Sequence, residues 1–526
     1  MMPHSRDAHG DASQPLLGGP LEHNHNGNNN DDTINRTTSR RSTDPRSERG
    51  AFSANLGAKE AFAIVVSIVI GSGVFTSPGV IDTNSPSPAI ALLAWIAAGV
   101  LAWTGAMTMA ELGTAIPGEG GVQPYLQYIF GDVYGFLAGW TWIVAGMPAT
   151  LAILSIVFVE SIFSAAGVTD QAETLGHKLL SISILVVMNV ANSISTKAST
   201  RLNNFFVFTK FVAIACVVGA GVAVVAIHLA HPDKDVGGGD WYSKSWFSYR
   251  TTVAPDGSTV PWDDLSSWEI LGHFSAALYG ALWAYCGWDK AIYVSAELSQ
   301  PARQLPLAIN TAIPTIIGCF IAANAAYYIL LPWSVVSSTD SVAVTAIGRL
   351  LGPAAGTVAA VLICLVVAGS LLGNAFVVGR MTVAASRKGW FPRCFSMLGS
   401  VGFRPKETVD PGSSDAPLNA TILSTVLTSL YILFGNFRAL LTFAGLGDNS
   451  WFFLTVVGAI ILRFREPDLP RPYKPYMIIP IIFCIVSGFV VIRGAIFAPL
   501  LAMVMVSVWI LGLGFYRLGQ KSRNAQ

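Results

Sequence analysis

From Lys59 to Tyr516 the chain is a succession of apolar stretches, each about the ~20 residues that carry a helix across a bilayer. Roughly twelve can be drawn: 59–80, 88–114, 134–163, 178–195, 203–230, 269–296, 307–331, 353–386, 417–435, 438–463, 476–494 and 496–516. A backbone in hydrocarbon has to satisfy its own hydrogen bonds, and stretches of this length do so as helices. Composition agrees. Charged residues are 12% of the 526, against about 25% in a soluble domain, and so uncharged a surface would not stay dispersed in water. A net charge of +1 supplies no basic field to hold nucleic acid. With 6 Cys and 52% hydrophobic residues, disulfide-framed and disordered classes are excluded as well. The expected fold is an all-α polytopic membrane protein with about 12 transmembrane helices.

Residues 1–56 differ from the rest. They include the Asn-rich HNHNGNNN and hold almost no apolar side chains. Such a segment cannot bury enough surface to offset its ordering entropy, so a disordered tail is expected. Ser-Arg-Arg-Ser-Thr (39–43) is read as part of that solvated tail. The expected organisation is a tail over 1–56, a transmembrane domain over 57–517 and a short tail over 518–526. If the N-terminus is inside, the inner ends of the spans receive Lys59, Arg201, Arg387, Lys388, Arg404, Lys406, Arg463, Arg465, Arg471 and Lys474, among others. The outer ends receive Lys178, Lys234, Lys244, Arg250, Arg349, Arg438 and Arg493. That bias predicts both termini in the cytoplasm. The plasma membrane is the expected location, with the vacuole or another endomembrane as the alternative; Gln-Pro-Leu-Leu (14–17) falls short of an acidic dileucine signal.

Two spans carry Gly at their centres. The first reads AFAIVVSIVIGSGVFTSPGVI, with Gly71, Ser72 and Gly73 near its middle. The sixth reads HFSAALYGALWAYCGWDKAIYV, with Gly287 near its middle and Asp289 beside it. Small residues also serve close helix packing, which is the bland reading of either cluster alone. Their places, first and sixth of about ten core spans, are corresponding members of two five-helix halves, the pattern that marks a transporter site at the bilayer midplane. A helix that breaks exposes N–H groups where it restarts and carbonyls where it stops. Ser72, Gly73 and Val74 would offer N–H groups to an anion. The carbonyls of Val69, Trp283, Ala284 and Cys286 would offer acceptors to a cation. A ligand with both charges close together, an α-amino acid, fits the two ends.

IVIGSGVFTSPGVI, MAELGTAIPGEGG, LWAYCGWDKAIYVSAELSQPARQLPLAI, GRMTVAASRKGWFP and ILRFREPDLPRPYKP follow one another in this order. Together they resemble the L-type amino acid transporter family of the amino acid–polyamine–organocation superfamily, over roughly residues 57–480. The resemblance implies a 5+5 inverted repeat with discontinuous helices 1 and 6, plus two extra helices, working by alternating access. It places the carboxylate contacts on Gly71, Ser72 and Gly73, and the ammonium contacts on the carbonyls of Val69, Trp283, Ala284 and Cys286. Trp283 stands where the family has a gating aromatic. Lys210, in FFVFTKFVAIACVV, matches a family lysine whose ammonium takes the place of a sodium ion, which implies sodium-independent transport. The alternative is a lysine near a span end that snorkels to the interface.

Departures from the family pattern matter too. Cys286 replaces a smaller residue in the unwound stretch. Asp289 stands where neutral-substrate members have Asn, which points to acceptance of cationic substrates; pairing with Lys290 or Arg380 is the equal alternative. Asp448 in the tenth span either takes a proton or caps a helix bend. The 164–177 loop lacks the Cys that joins animal members to a glycoprotein heavy chain, so no disulfide-linked heavy chain is expected.

Glu111, Glu160, Glu297 and Arg303 read as interfacial anchors or ion pairs between helix ends. His228 and His231 have no companions for a zinc set, so neither metal nor cofactor is expected. HExxH, GxSxG and paired carboxylates are absent from the spans, which argues against an enzyme. The expected function is secondary transport of L-amino acids, neutral and fairly large, across the bilayer. The alternatives are a carrier of cationic amino acids or polyamines and, from another class, an amino acid-sensing receptor that signals through its tail.

Overall fold

The computed structural model describes residues 57–524 apart from 117–120, 169–173, 195, 235, 290–298 and 398–416. The N-terminal tail, Lys290, Glu297, Arg404 and Lys406 therefore lie outside the described residues.

The first expected span is built in three pieces, α1 (Ala58–Val69), α2 (Gly73–Thr76) and α3 (Pro78–Thr83). The second, α4 (Pro88–Ala115), is continuous. Ser87 caps it by accepting from the Ile90 N–H, and Pro88 opens it where a missing N–H costs nothing. A short helix, α5 (Val122–Phe130), leads to the third span, where α6 (Asp132–Thr141) and α7 (Met147–Ala165) are joined by a π turn at Trp142–Gly146. The fourth and fifth are α8 (Leu175–Ile194) and α9 (Thr196–Ala230). A long excursion follows, with α10 (Asp240–Ser243) and a two-stranded hairpin that sets Thr252 opposite Val260. The sixth span, α11 (Ser267–Ala284), starts with a reciprocal cap: the Ser266 side chain accepts from the Glu269 N–H, and the Glu269 carboxylate accepts from the Ser266 N–H. Beyond it come α12 (Pro301–Leu330), the short α13 (Trp333–Ser337) and α14 (Val342–Leu351), then α15 (Pro353–Arg387), α16 (Leu418–Phe434), α17 (Phe437–Arg465), α18 (Ile478–Phe497) and α19 (Pro499–Asn524).

Among the described residues, nine helical segments are long and apolar enough to cross a membrane, α6 through α7 counting as one. The other three expected spans fall short for identifiable reasons. The first is broken after Val69, the sixth leaves the helix after Ala284, and α16 has 17 residues. The fold is all-helical and polytopic, as expected. At its centre α15 packs along α7 and α9, and α12 along α4 and α1. Trp95 of α4 sits edge-on to Tyr285 and Phe320, with centroids 6.1 and 5.7 Å away. At the periphery α8 and α19 turn Leu179, Val187, Leu500 and Ile510 outward, as expected where lipid is the solvent.

Charged groups are placed at the two ends of the bundle. At the end bearing the 231–266 excursion (the loop end), Asp82 of α3 is fully buried. It accepts from Arg250 Nη2 at 2.5 Å and from the Tyr328 hydroxyl at 2.6 Å. Arg250 Nη1 also donates to the Trp333 carbonyl, 2.8 Å away, so the excursion straps α3 to α12 and α13. At the opposite end Glu111 of α4 accepts from Arg463 Nε at 2.9 Å and is closed upon by Arg463 Nη2, with Arg471 Nε 3.3 Å away. The expected ion pairing of Glu111 is present, and a second arginine joins it.

Candidate functional site

At the first break the helical bonding of α1 runs out one residue after Val69. The Ile70 N–H still reaches the Val66 carbonyl at 2.9 Å, but the Gly71 N–H turns back to Val69, 2.7 Å away. The chain resumes as α2, where the Phe75 N–H bonds the Ser72 carbonyl at 2.9 Å. Among the described residues no backbone carbonyl accepts from the N–H groups of Ser72, Gly73 or Val74. An unsatisfied group in hydrocarbon costs several kcal/mol, so such a break persists only where protein covers it or a polar cavity meets it. Gly71 is partly exposed between the buried Ile70 and Ser72. A Cβ added there would find only Ser370 Oγ at 3.7 Å and the Val69 carbonyl at 3.9 Å.

At the second break α11 stops at Ala284. The Tyr285 N–H bonds Ala281 at 3.1 Å, and the Cys286 N–H bonds Trp283 at 3.0 Å. Gly287 then turns the chain at φ +109°, a conformation that side chains disfavour. The two breaks are in contact. A Cβ on Gly73 would lie 2.4 Å from Ala284 Cα and 2.8 Å from its Cβ, so only the bare backbone of glycine allows this approach. The structure thus brings Gly73 against Ala284, 211 positions away in sequence (284 minus 73).

A family model described as amino acid permease matches residues 56–515. The chain belongs to the amino acid permease family. Among its relatives, the b(0,+)-type amino acid transporter 1 of Rattus norvegicus is 29% identical over 478 residues, covering 91% of this chain and 90% of the relative. The Homo sapiens protein of the same name is 29% identical, covering 88% and 87%. Large neutral amino acids transporter small subunit 2 of Rattus norvegicus is 27% identical, covering 89% and 81%. This amino acid permease is accordingly a membrane transporter and not an enzyme.

Around the breaks of the permease, Trp283 is half-buried and holds its indole edge-on to Phe437 at the start of α17, centroids 6.4 Å apart. Cys286 is a half-buried thiol that forms no disulfide. Asp289 is 7% exposed. Of the two cations that sequence offers it, Lys290 lies outside the described residues, and Arg380 is exposed with its guanidinium carbon 3.2 Å from the centre of the Phe376 ring. Lys210 occupies the middle of α9 and is 6% exposed, so it is enclosed by the bundle and does not snorkel from a helix end. One turn before it, Phe206 packs on Gly369, which neighbours Ser370 on α15. The buried Ser370 hydroxyl finds no hydrogen-bond partner among the described residues.

Asp448 lies within the unbroken α17 and faces the π turn of the third span: its Oδ1 would be 3.0 Å from a Cβ on Gly146. Sequence reading missed that turn, although Pro148, which cannot donate a backbone bond, was a signal. Glu160 stands 3.3 Å from His177. Arg303 is exposed at the start of α12. His228 stacks on Tyr242 at 4.2 Å, and α9 ends at Ala230, before His231.

Proposed function

We propose that this permease carries L-amino acids, preferably neutral and fairly large, by alternating access and without sodium. The observation that carries the reading is the contact between the two helix breaks. The N–H groups of Ser72 and Gly73, which no backbone carbonyl among the described residues accepts from, suit a carboxylate, and the carbonyls at the helix ends, Val69, Trp283, Ala284 and Cys286, suit an ammonium. The relatives' names, amino acid transporters and a large neutral amino acids transporter, support the same substrate class. Lys210, buried on α9, supplies a fixed positive charge in place of a sodium ion. Both termini face the cytoplasm, most simply at the plasma membrane, and the carrier works without a disulfide-linked heavy chain. Counterflow in liposomes tests this: an internal pool of unlabelled L-leucine is expected to drive uptake of labelled L-leucine equally in sodium and in choline buffer. No counterflow with any amino acid of a full panel contradicts the transport reading, and uptake that requires sodium contradicts the role of Lys210.

A second reading rests on Asp289, a buried carboxylate beside the second break. It favours a cationic side chain on the substrate. Strong competition of L-leucine uptake by L-arginine selects this reading, and none selects the neutral one.

A further inference from the structure

Helix α17 carries arginines at both ends, and Arg438 and Arg463 are held differently. At the far end Arg463 closes on Glu111 with side chains 5% and 2% exposed, and Arg471 completes the group. At the loop end Arg438 Nη2 donates to Asp340 Oδ1 at 2.9 Å, with side chains 26% and 23% exposed. Arg438 Nη1 donates to Thr83 Oγ1, 3.2 Å away at the last residue of α3, so one guanidinium spans three elements: α17, the α13–α14 turn and the half of the first span beyond the break. Its Nε is buried and finds no partner among the described residues. A partly solvated pair separates cheaply because water replaces each partner. A buried one does not, because separation strands a charge. Beside Arg438, Phe437 sets its ring against Trp283 at the second break.

We propose that Arg438 and Asp340 are the latch of the loop-end gate, closed in this structure, and that the Glu111–Arg463–Arg471 group is the pivot that stays closed when the latch opens. Parting Arg438 from Asp340 and Thr83 frees α3 from α17, draws Phe437 off Trp283 and opens the breaks to the loop end. Asp256, on the hairpin turn, is held below the ordinary carboxylate range mainly by its Ser258 hydrogen bonds and in part by the Arg438 charge. The assignment of the loop end to the cell exterior rests on the transport reading above.

The native thiol Cys286 reports on the gate without any substrate. Intact cells are treated with a membrane-impermeant thiol reagent, and modification of Cys286 is followed by peptide mass mapping. Arg438→Gln and Asp340→Asn are each expected to speed it at least about threefold, and the swap R438D with D340R is expected to return it toward the wild-type rate. Because the swap keeps both charges, its recovery separates a latch from a folding defect. Separately, Arg438→Cys with Asp340→Cys, bridged by a reversible bifunctional thiosulfonate, is expected to lose uptake until reductant is added. Unchanged Cys286 labelling in the single variants, or uptake that persists through the bridge, overturns the latch. Faster labelling in a protein that moves no amino acid instead leaves the latch standing and overturns the transport reading.

Discussion

Gly73 and Gly71 lie two residues apart at the same break and face opposite demands. Alanine at 73 would drive its Cβ to 2.4 Å from Ala284 Cα, a backbone atom that cannot step aside, whereas alanine at 71 meets nothing nearer than 3.7 Å. Overpacking of this kind costs about 1–3 kcal/mol. Gly73→Ala is therefore expected to lower the melting temperature of the purified permease by several degrees and to abolish uptake. Gly71→Ala is expected to melt like wild type and lose uptake at least about tenfold, since it crowds only the ligand's place. Equal melting of the two would contradict the contact between the breaks. The types and positions of the candidate residues were legible in sequence because glycine inside an apolar run is chemically conspicuous. That Gly73 rests on Ala284 was not, since nothing local encodes a contact across 211 residues (284 minus 73). Lys210 shows the same boundary: its presence in a span was plain, but only packing decides between enclosure and snorkelling, and α9 begins early enough to place it mid-helix.

Among the elements, the interruption of α1 and the early stop of α11 were readable, and the π turn between α6 and α7 was not, because a register slip changes no residue's polarity. The excursion between α9 and α11 was read as an irregular loop. Its role is to grip α3 through the Arg250–Asp82–Tyr328 group and α13 through Asp240, which accepts the Trp333 N–H at 2.9 Å. Asp82→Asn leaves Arg250 facing a neutral partner in a buried place, a change that costs about 3–5 kcal/mol in comparable pairs. Limited proteolysis is expected to cut the 231–266 segment of that variant faster than wild type, and equal rates would contradict the strap. Asp240 supplies a pH signature. Burial raises its pKa, but Lys244 and the Trp333 N–H outweigh this and hold it below 3.8. A depressed carboxylate stabilises the fold above its unfolded value and loses that contribution as pH falls through the folded one. Hydrogen exchange at the Trp333 amide is thus expected to be protected at pH 6 and to lose protection only below about pH 4; loss near neutrality would contradict the assignment.

The whole molecule joins a tight end to a looser one. The Glu111 group welds α4 to α17 in a dry setting, while at the loop end α17 is held by the Arg438–Asp340 pair, which water reaches, beside the buried Asp82–Arg250 strap of α3. Basic residues gather at the tight end, where Arg387, Lys388, Arg463, Arg465, Arg471 and Lys474 lie in or beside the ends of α15 and α17. An epitope at the C-terminus is therefore expected to be stained only after permeabilisation, and staining of intact cells would invert the orientation. The all-helical class was legible from span length alone. The difference between the two ends was not, because sequence records charge but not depth.

The most direct measurement is binding of stripped-down ligands to the purified permease by calorimetry. L-leucine, its amide, 4-methylpentanoate and isopentylamine present one side chain with both charges, the amine alone, the acid alone and the amine alone in turn. If the paired breaks hold both ends of a zwitterion, only L-leucine binds with measurable heat, and each single-charge analogue is weaker by at least about a hundredfold. Binding of the bare acid or the bare amine as tight as that of L-leucine would contradict it.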